Sequence, residues 1–111
     1  MKIPRSLKIF LEVIAPLKKR LHMVALFGSY ARGDYSKDSD IDVLVVSKSH
    51  DYALRKKIVE LTDRAMEAVG YKEMLSPILM DLRHFNKIKN VNTDLYYFLN
   101  RDGAVLWQTK A

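Results

Sequence analysis

Leu7, Phe10, Leu11, Ile14, Leu17 and Leu21 recur at spacings of three and four, one face of a helix over residues 5–21. Ser6 is its expected N-cap. Pro16, which has no N–H to donate, should kink that helix or end its first part. Met23 to Phe27 is an unbroken apolar run closed by Gly28, the pattern of a strand ending in a turn. Residues 30–33 suit a brief helical turn, and residues 34–39 a polar loop rich in turn formers. Ile41 to Val46 is β-branched and almost wholly apolar, so it should be a central strand buried on both faces. The helical period returns over residues 51–69, with Leu54, Ile58, Leu61, Ala65 and Val69 on one face and Gly70 as the stop. Residues 71–82 read as extended, with Pro77 better suited to an edge strand or a bulge than to a central position. A helix from about Thr93 to Leu99, a turn at residues 101–103 and a short apolar strand at 104–107 complete the chain. This order predicts an α/β (α+β) fold, a small mixed sheet with helices packed on it, in a single domain over residues 1–111.

Composition narrows the chemistry. Apolar residues make up 49% and charged residues 29% of the 111, the balance of a globular domain. With no cysteine, disulfides, thiolate zinc sites and cysteine nucleophiles are excluded. His22, His50 and His84 fall at no ligand-like spacing, so any metal must be a hard cation held by oxygen. The N-terminal stretch is basic and partly apolar, but Glu12 and Lys18–Arg20 interrupt it, and no small-residue cleavage site follows. No stretch approaches the roughly 20 apolar residues of a membrane span, and a cytoplasmic protein is expected. The formal charge of +6 suits an anionic partner such as a nucleotide. Direct nucleic-acid binding is not expected from charge alone.

The polar residues with the most chemistry lie between the first two apolar runs, in LFGSYARGDYSKDSDIDVLVV. Asp40 and Asp42 are two apart, so on a strand both side chains face one way, with Cα atoms about 6.6 Å apart. Two carboxylates so placed repel each other unless a cation bridges them. Magnesium removes the conflict, because it takes oxygen ligands and fills its shell with water and substrate phosphate. Gly28–Ser29 adds a backbone that a ligand can approach closely, N–H groups for an anion and a hydroxyl for a phosphate oxygen. Together they point to phosphoryl or nucleotidyl chemistry. Asp34 and Asp38 read as a solvated acidic loop. An EF-hand loop starting at Asp38 would need glycine sixth and glutamate twelfth, where Val43 and Ser49 stand. A P-loop needs a lysine after its glycines, and none follows.

Gly28–Ser29, ten residues, then Asp40-Ile41-Asp42 resembles the signature of the polymerase-beta-like nucleotidyltransferase superfamily. The fuller string, with Arg32-Gly33 and Ser39-Asp40, is similar to its minimal nucleotidyltransferase (MNT) branch, and the closing FLNRDGAVLW resembles the end of those short proteins. The resemblance implies in-line attack of an acceptor hydroxyl on the α-phosphorus of a nucleoside triphosphate, with two magnesium ions and pyrophosphate as leaving group. It implies that Gly28 and Ser29 hold the phosphates and that Asp40 and Asp42 ligate metal. Arg32 either steadies a phosphate or acceptor or pairs with the acidic loop. The family's third carboxylate sits on a later strand. Asp81 is the candidate metal ligand and catalytic residue, Glu73 the runner-up, and a helix N-cap the alternative role for Asp81. Asp63, on a helix, is a poor candidate. Pro77 departs from the pattern and could bend this strand.

The resemblance also implies a partner. MNT proteins are paired with a helical HEPN protein, often a ribonuclease toxin, which they neutralise by binding and by attaching AMP from ATP to a tyrosine. The expectation is therefore an adenylylating antitoxin. Two alternatives stay open: a binding module that blocks its partner sterically, and a nucleotidyltransferase acting on a small molecule or RNA end as a homo-oligomer. Tyr96, Tyr97 and Phe98 on the last helix suit core or oligomer packing better than base stacking.

Overall fold

The computed structural model describes residues 3–91 and 94–109, apart from the side chains of Leu95 and Phe98. Its centre is a pair of apolar strands, β1 (Leu21–Phe27) and β2 (Ile41–Ser47). With β3 (Leu75–Asp81) and β4 (Ala104–Gln108) they form a mixed sheet ordered β3-β2-β1-β4. β1 is antiparallel to both β2 and β4, whereas β3 runs parallel to β2. The expected mixed α/β architecture is present. β2 is interior as its composition requires, with Ile41 and Val43–Val46 at most 1% exposed. Pro77 sits on β3, an edge strand, where its missing N–H deprives no second neighbour.

Strand alternation sends β2 side chains to two cores. Ile41, Val43 and Val45 meet Leu7, Phe10 and Ile14 of α1 (Arg5–Ile14) and Leu54, Ile58, Leu61 and Ala65 of α3 (Tyr52–Ala68). Leu44 and Val46 face the other way, onto Met23, Ala25 and Met80. That second core is roofed by Phe85 and Ile88 of α4 (Leu82–Asn90) and Leu99 of α5 (Asp94–Asp102). α2 (Gly28–Arg32) is a single short helix between β1 and β2.

Several elements differ from the sequence expectation. The first helix ends at Ile14, and Ala15–Arg20 winds on as a 3-10 helix with Pro16 in its first turn. Leu21 is fully buried but opens β1 rather than closing the helix. Pro4, not Ser6, is the N-cap of α1, while Ser6 lies within the first turn, buried, and donates its N–H to Glu73 Oε1 at 2.8 Å. The stretch expected to be extended over 71–82 is a strand only over β3, and α4 follows directly. A helix here enters the sequence reading only through the alternative N-cap role of Asp81, which the structure bears out. Its apolar positions, Leu82, Phe85 and Ile88, are too few to register as a period. Its start is fixed by Asp81, whose carboxylate accepts from the His84 N–H at 2.8 Å. The expected helix start at Thr93 lies outside the described residues, and α5 runs through Asp102, where the sequence predicts a turn. No helix among the described residues is long and apolar enough to cross a membrane.

Because Leu44 of β2 is fully buried in the core beneath α4 and α5, Leu44→Ala should destabilise the fold by about 2–5 kcal/mol, read as a shift in the urea midpoint at unchanged slope.

Candidate active site

The antiparallel pairing of β1 with β2 brings the end of the first strand to the beginning of the second, with Phe27 opposite Asp42. The next residue, Gly28, has φ +73°, the left-handed region that L side chains avoid. Space is the stricter demand. A Cβ at Gly28 would collide with Asp42 Oδ2 and lie 3.2 Å from its Cγ. The Asp42 carboxylate therefore rests against bare backbone, and α2 springs from that point. Gly33, at φ +85°, closes α2 with its N–H on Ser29 O at 2.9 Å. The chain returns through an exposed loop to Asp40 and Asp42 at the mouth of β2.

Asp42 is half-buried, and burial pushes its carboxyl above the usual range. The negative charge of Asp40 pushes the same way, and the Arg32 guanidinium partly opposes both. Arg32 is thus within electrostatic reach of the pair while bonded elsewhere: its Nε donates to Asp34 Oδ2 at 3.2 Å, and its Nη1 lies 3.8 Å from Asp102 Oδ2. Both roles considered for Arg32 are compatible with this placement. Asp102, at the end of α5, is a component that sequence reasoning missed, because nothing local links position 102 to position 32.

Asp40 and Asp42 offer hard oxygen donors that repel each other, beside a backbone with no Cβ to keep a ligand away. That donor set fits a hard divalent cation whose remaining ligands are water and phosphate oxygen. Among the described residues no cluster of three His, Cys, Asp or Glu side chains could hold a metal ion. The register explains this. Asp42 pairs with Ser76, and Asp81 pairs with Ser47, five positions along β3 or about 16 Å at a strand rise of roughly 3.3 Å. Asp81 therefore lies at the opposite end of the sheet, on the opposite face, with its carboxylate committed to capping α4. The expectation that it joins Asp40 and Asp42 is corrected: a parallel β3 starts, rather than ends, beside them.

Glu73, the runner-up, does come to the correct end. It precedes β3, holds the Ser6 N–H and lines a concavity with Asp40. Tyr30 on α2 lines the same concavity, stacked on Tyr35 with ring centroids 4.1 Å apart and planes 5° from parallel. Burial, with Glu73 and Tyr35 nearby, pushes the Tyr30 phenol above its usual value.

Comparison with known proteins gives the family and the fold. The sequence model described as a nucleotidyltransferase domain matches residues 7–101. A provisionally named protein adenylyltransferase of Methanocaldococcus jannaschii is 41% identical over 81 residues, 71% of this chain and 80% of that protein. A provisionally named nucleotidyltransferase from Sulfolobus solfataricus shares the fold, with a TM-score of 0.56 and 21% identity over 98% of this chain and 92% of the other. A toxin–antitoxin structure with AMP-PNP contains a chain with a TM-score of 0.54 and 25% identity, covering 95% of this chain and 73% of that one. A nucleotidyltransferase-domain match over residues 7–101, with a relative 41% identical over 80% of its own length, leads to one conclusion: this chain belongs to the nucleotidyltransferase domain family and is a nucleotidyltransferase.

Proposed function

We propose that the chain, acting as one domain over residues 1–111, transfers AMP from ATP to a tyrosine hydroxyl of a cognate HEPN-type toxin in the cytoplasm, and so serves as its antitoxin. The observation that carries the reading is the fit of the Asp42 carboxylate against the bare Gly28 backbone, with Asp40 beside it. A nucleotide phosphate and a carboxylate-bound cation can share a site only where the backbone leaves room for both. The M. jannaschii relative supports a protein acceptor by its name, and the toxin–antitoxin neighbour supports both an adenine nucleotide and a toxin partner.

In this reading Asp40 and Asp42 hold Mg2+, two ions by the family's pattern. A cation held by these two carboxylates would supply the charge that lowers the pKa of the attacking hydroxyl and offsets charge on the leaving phosphates. The chain's own groups do the remaining work. Backbone N–H groups at the start of α2 and the Ser29 hydroxyl orient the phosphates. Arg32, anchored through Asp34 and Asp102, supplies a fixed positive charge near Asp42.

The direct test is incubation of the purified chain with α-labelled ATP, magnesium and the HEPN partner. Label on a partner tyrosine is expected. Complex formation without transfer assigns the chain to steric neutralisation, and label on RNA or a small molecule assigns it to a different acceptor.

Asp42→Asn should lower transfer by about 10²–10³-fold or more, the loss seen when one transition-state charge stabiliser is removed. The same substitution should stabilise the metal-free protein. Because the folded Asp42 carboxyl is shifted upward, its contribution is most favourable below the unfolded carboxylate range and is lost as pH rises through the folded pKa. Asp42→Asn should therefore raise the Tm near pH 7 and leave it unchanged below about pH 3; magnesium should raise the Tm of the wild type only.

Gly28→Ala should cost at least about 1 kcal/mol from the positive φ and reduce transfer by ~10²-fold as Asp42 is displaced. Asp81→Ala should also destabilise, by about 0.5–2 kcal/mol through the lost cap, but transfer by the folded fraction should stay at the wild-type rate. Chemical denaturation alongside initial rates distinguishes the two.

A further inference from the structure

We propose that Asp102 is a positioning residue of the active site, holding the Arg32 guanidinium away from the Asp42 carboxylate so that Asp42 stays free for a divalent cation. This rests on the reading of Asp40 and Asp42 as cation ligands and names what keeps the opposite charges of that corner apart. β4 runs antiparallel to β1 with Ala104 opposite Leu26, so the chain entering β4 passes the corner where Gly28 opens α2. Asp102, the last residue of α5, is delivered there, with its Oδ2 3.8 Å from Arg32 Nη1.

The closing Arg101-Asp102-Gly103 fixes that carboxylate. Arg101 donates from Nε to Asp102 Oδ1 at 3.0 Å and from Nη2 to Oδ2 at 2.8 Å, a two-point grip that sets its orientation. Gly103 donates its N–H to Leu99 O at 2.8 Å, and a Cβ on Gly103 would collide with that same oxygen. The turn into β4, and with it the place of Asp102, thus requires a residue with no Cβ. The Asp102 side chain is 12% exposed, against 63% for Asp34, the other partner of Arg32. An exposed pair is screened and holds little. Asp34 also lies only two residues along the chain, so it cannot fix Arg32 relative to the sheet. Asp102 is the anchor that does.

The anchor matters because Arg32 has a competing partner. It lies four residues beyond Gly28, about 6 Å along α2 at a rise of roughly 1.5 Å per residue. Gly28 is itself pressed against Asp42. A guanidinium side chain spans that distance, and its charge is already felt at Asp42. Paired with Asp42, it would occupy both carboxylate oxygens in the bidentate form that the two groups favour. Those are the oxygens a hard cation takes. Without Asp102, the repelling Asp40 and Asp42 draw the guanidinium onto themselves, and Arg32 and the cation compete for one site.

The test is a double-mutant cycle on the full chain, read as Mn2+ affinity from the electron paramagnetic resonance signal of the free ion. Asp102→Asn should weaken Mn2+ binding about tenfold in the wild-type background. In the Arg32→Gln background the same substitution should change it by no more than about twofold, because the competitor is gone. Urea denaturation of each variant checks that binding is measured on folded protein. Should Asp102→Asn fail to fold, Arg101→Gln, which loosens the Asp102 carboxylate but keeps it, enters the same cycle with an expected loss of about threefold. Two outcomes overturn the positioning role while leaving the nucleotidyltransferase reading intact. Equal losses in both backgrounds make Asp102 a distant negative charge or a structural support, and no loss in either makes it irrelevant to the site. Absence of Mn2+ binding by the wild type, alone and with AMP-PNP, overturns the reading of Asp40 and Asp42 as cation ligands, and this role with it.

Discussion

The close approach of the Gly28 backbone to the Asp42 carboxylate is the contact on which the rest of the site depends. It exists because β1 and β2 are antiparallel and adjacent, so that one strand delivers its last residue where the other presents its first charged one. Everything nearby follows from that meeting. The chain must turn at once, it must do so in a conformation open to glycine, and it must not carry a Cβ. A short helix then leaves the turn with its first N–H groups at the same corner, and its last residue, Arg32, is near enough to Asp42 to be felt electrostatically.

This corner is costly for the ligand-free fold. A half-buried carboxylate beside another carboxylate is disfavoured in its charged form, and the guanidinium nearby offsets only part of that. The same frustration makes the pair receptive to a cation, since binding removes both the desolvation penalty and the repulsion. The two apolar cores on either face of β2 supply the stability against which this local cost is set. They also hold the two strands in the register that keeps Asp42 opposite Phe27. Stability and function thus meet in one strand: its interior is among the most deeply buried parts of the fold, and its entrance carries the chemistry.

The far end of the sheet illustrates how a single aspartate can look catalytic and be structural. Asp81 follows an apolar strand, as a metal-binding carboxylate would, yet its strand runs parallel to β2. Parallel strands start at the same end, so a residue that ends β3 lies as far from the mouth of β2 as the sheet allows. There it caps α4. Glu73, which precedes the same strand, is brought to the active end instead. Its carboxylate also receives the Ser6 N–H, tying the first turn of α1 to the wall of the concavity beside Asp40.

What the sequence determined by itself was whatever depends on neighbours along the chain. The apolar run of β2, the period of α3 and the glycine that must bend after β1 all express local rules, and each is where those rules put it. Pro77 announced an edge strand for the same reason, a missing N–H. Tertiary structure decided the rest. Whether β3 runs with or against β2 is a matter of chain crossing, and no residue within β3 encodes it. The pairing of Arg32 with Asp102 and the capture of Ser6 by Glu73 join positions separated by 67 to 70 residues. Their partners are chosen by packing of the two cores, because only the folded chain sets the distances over which charges and hydrogen bonds act.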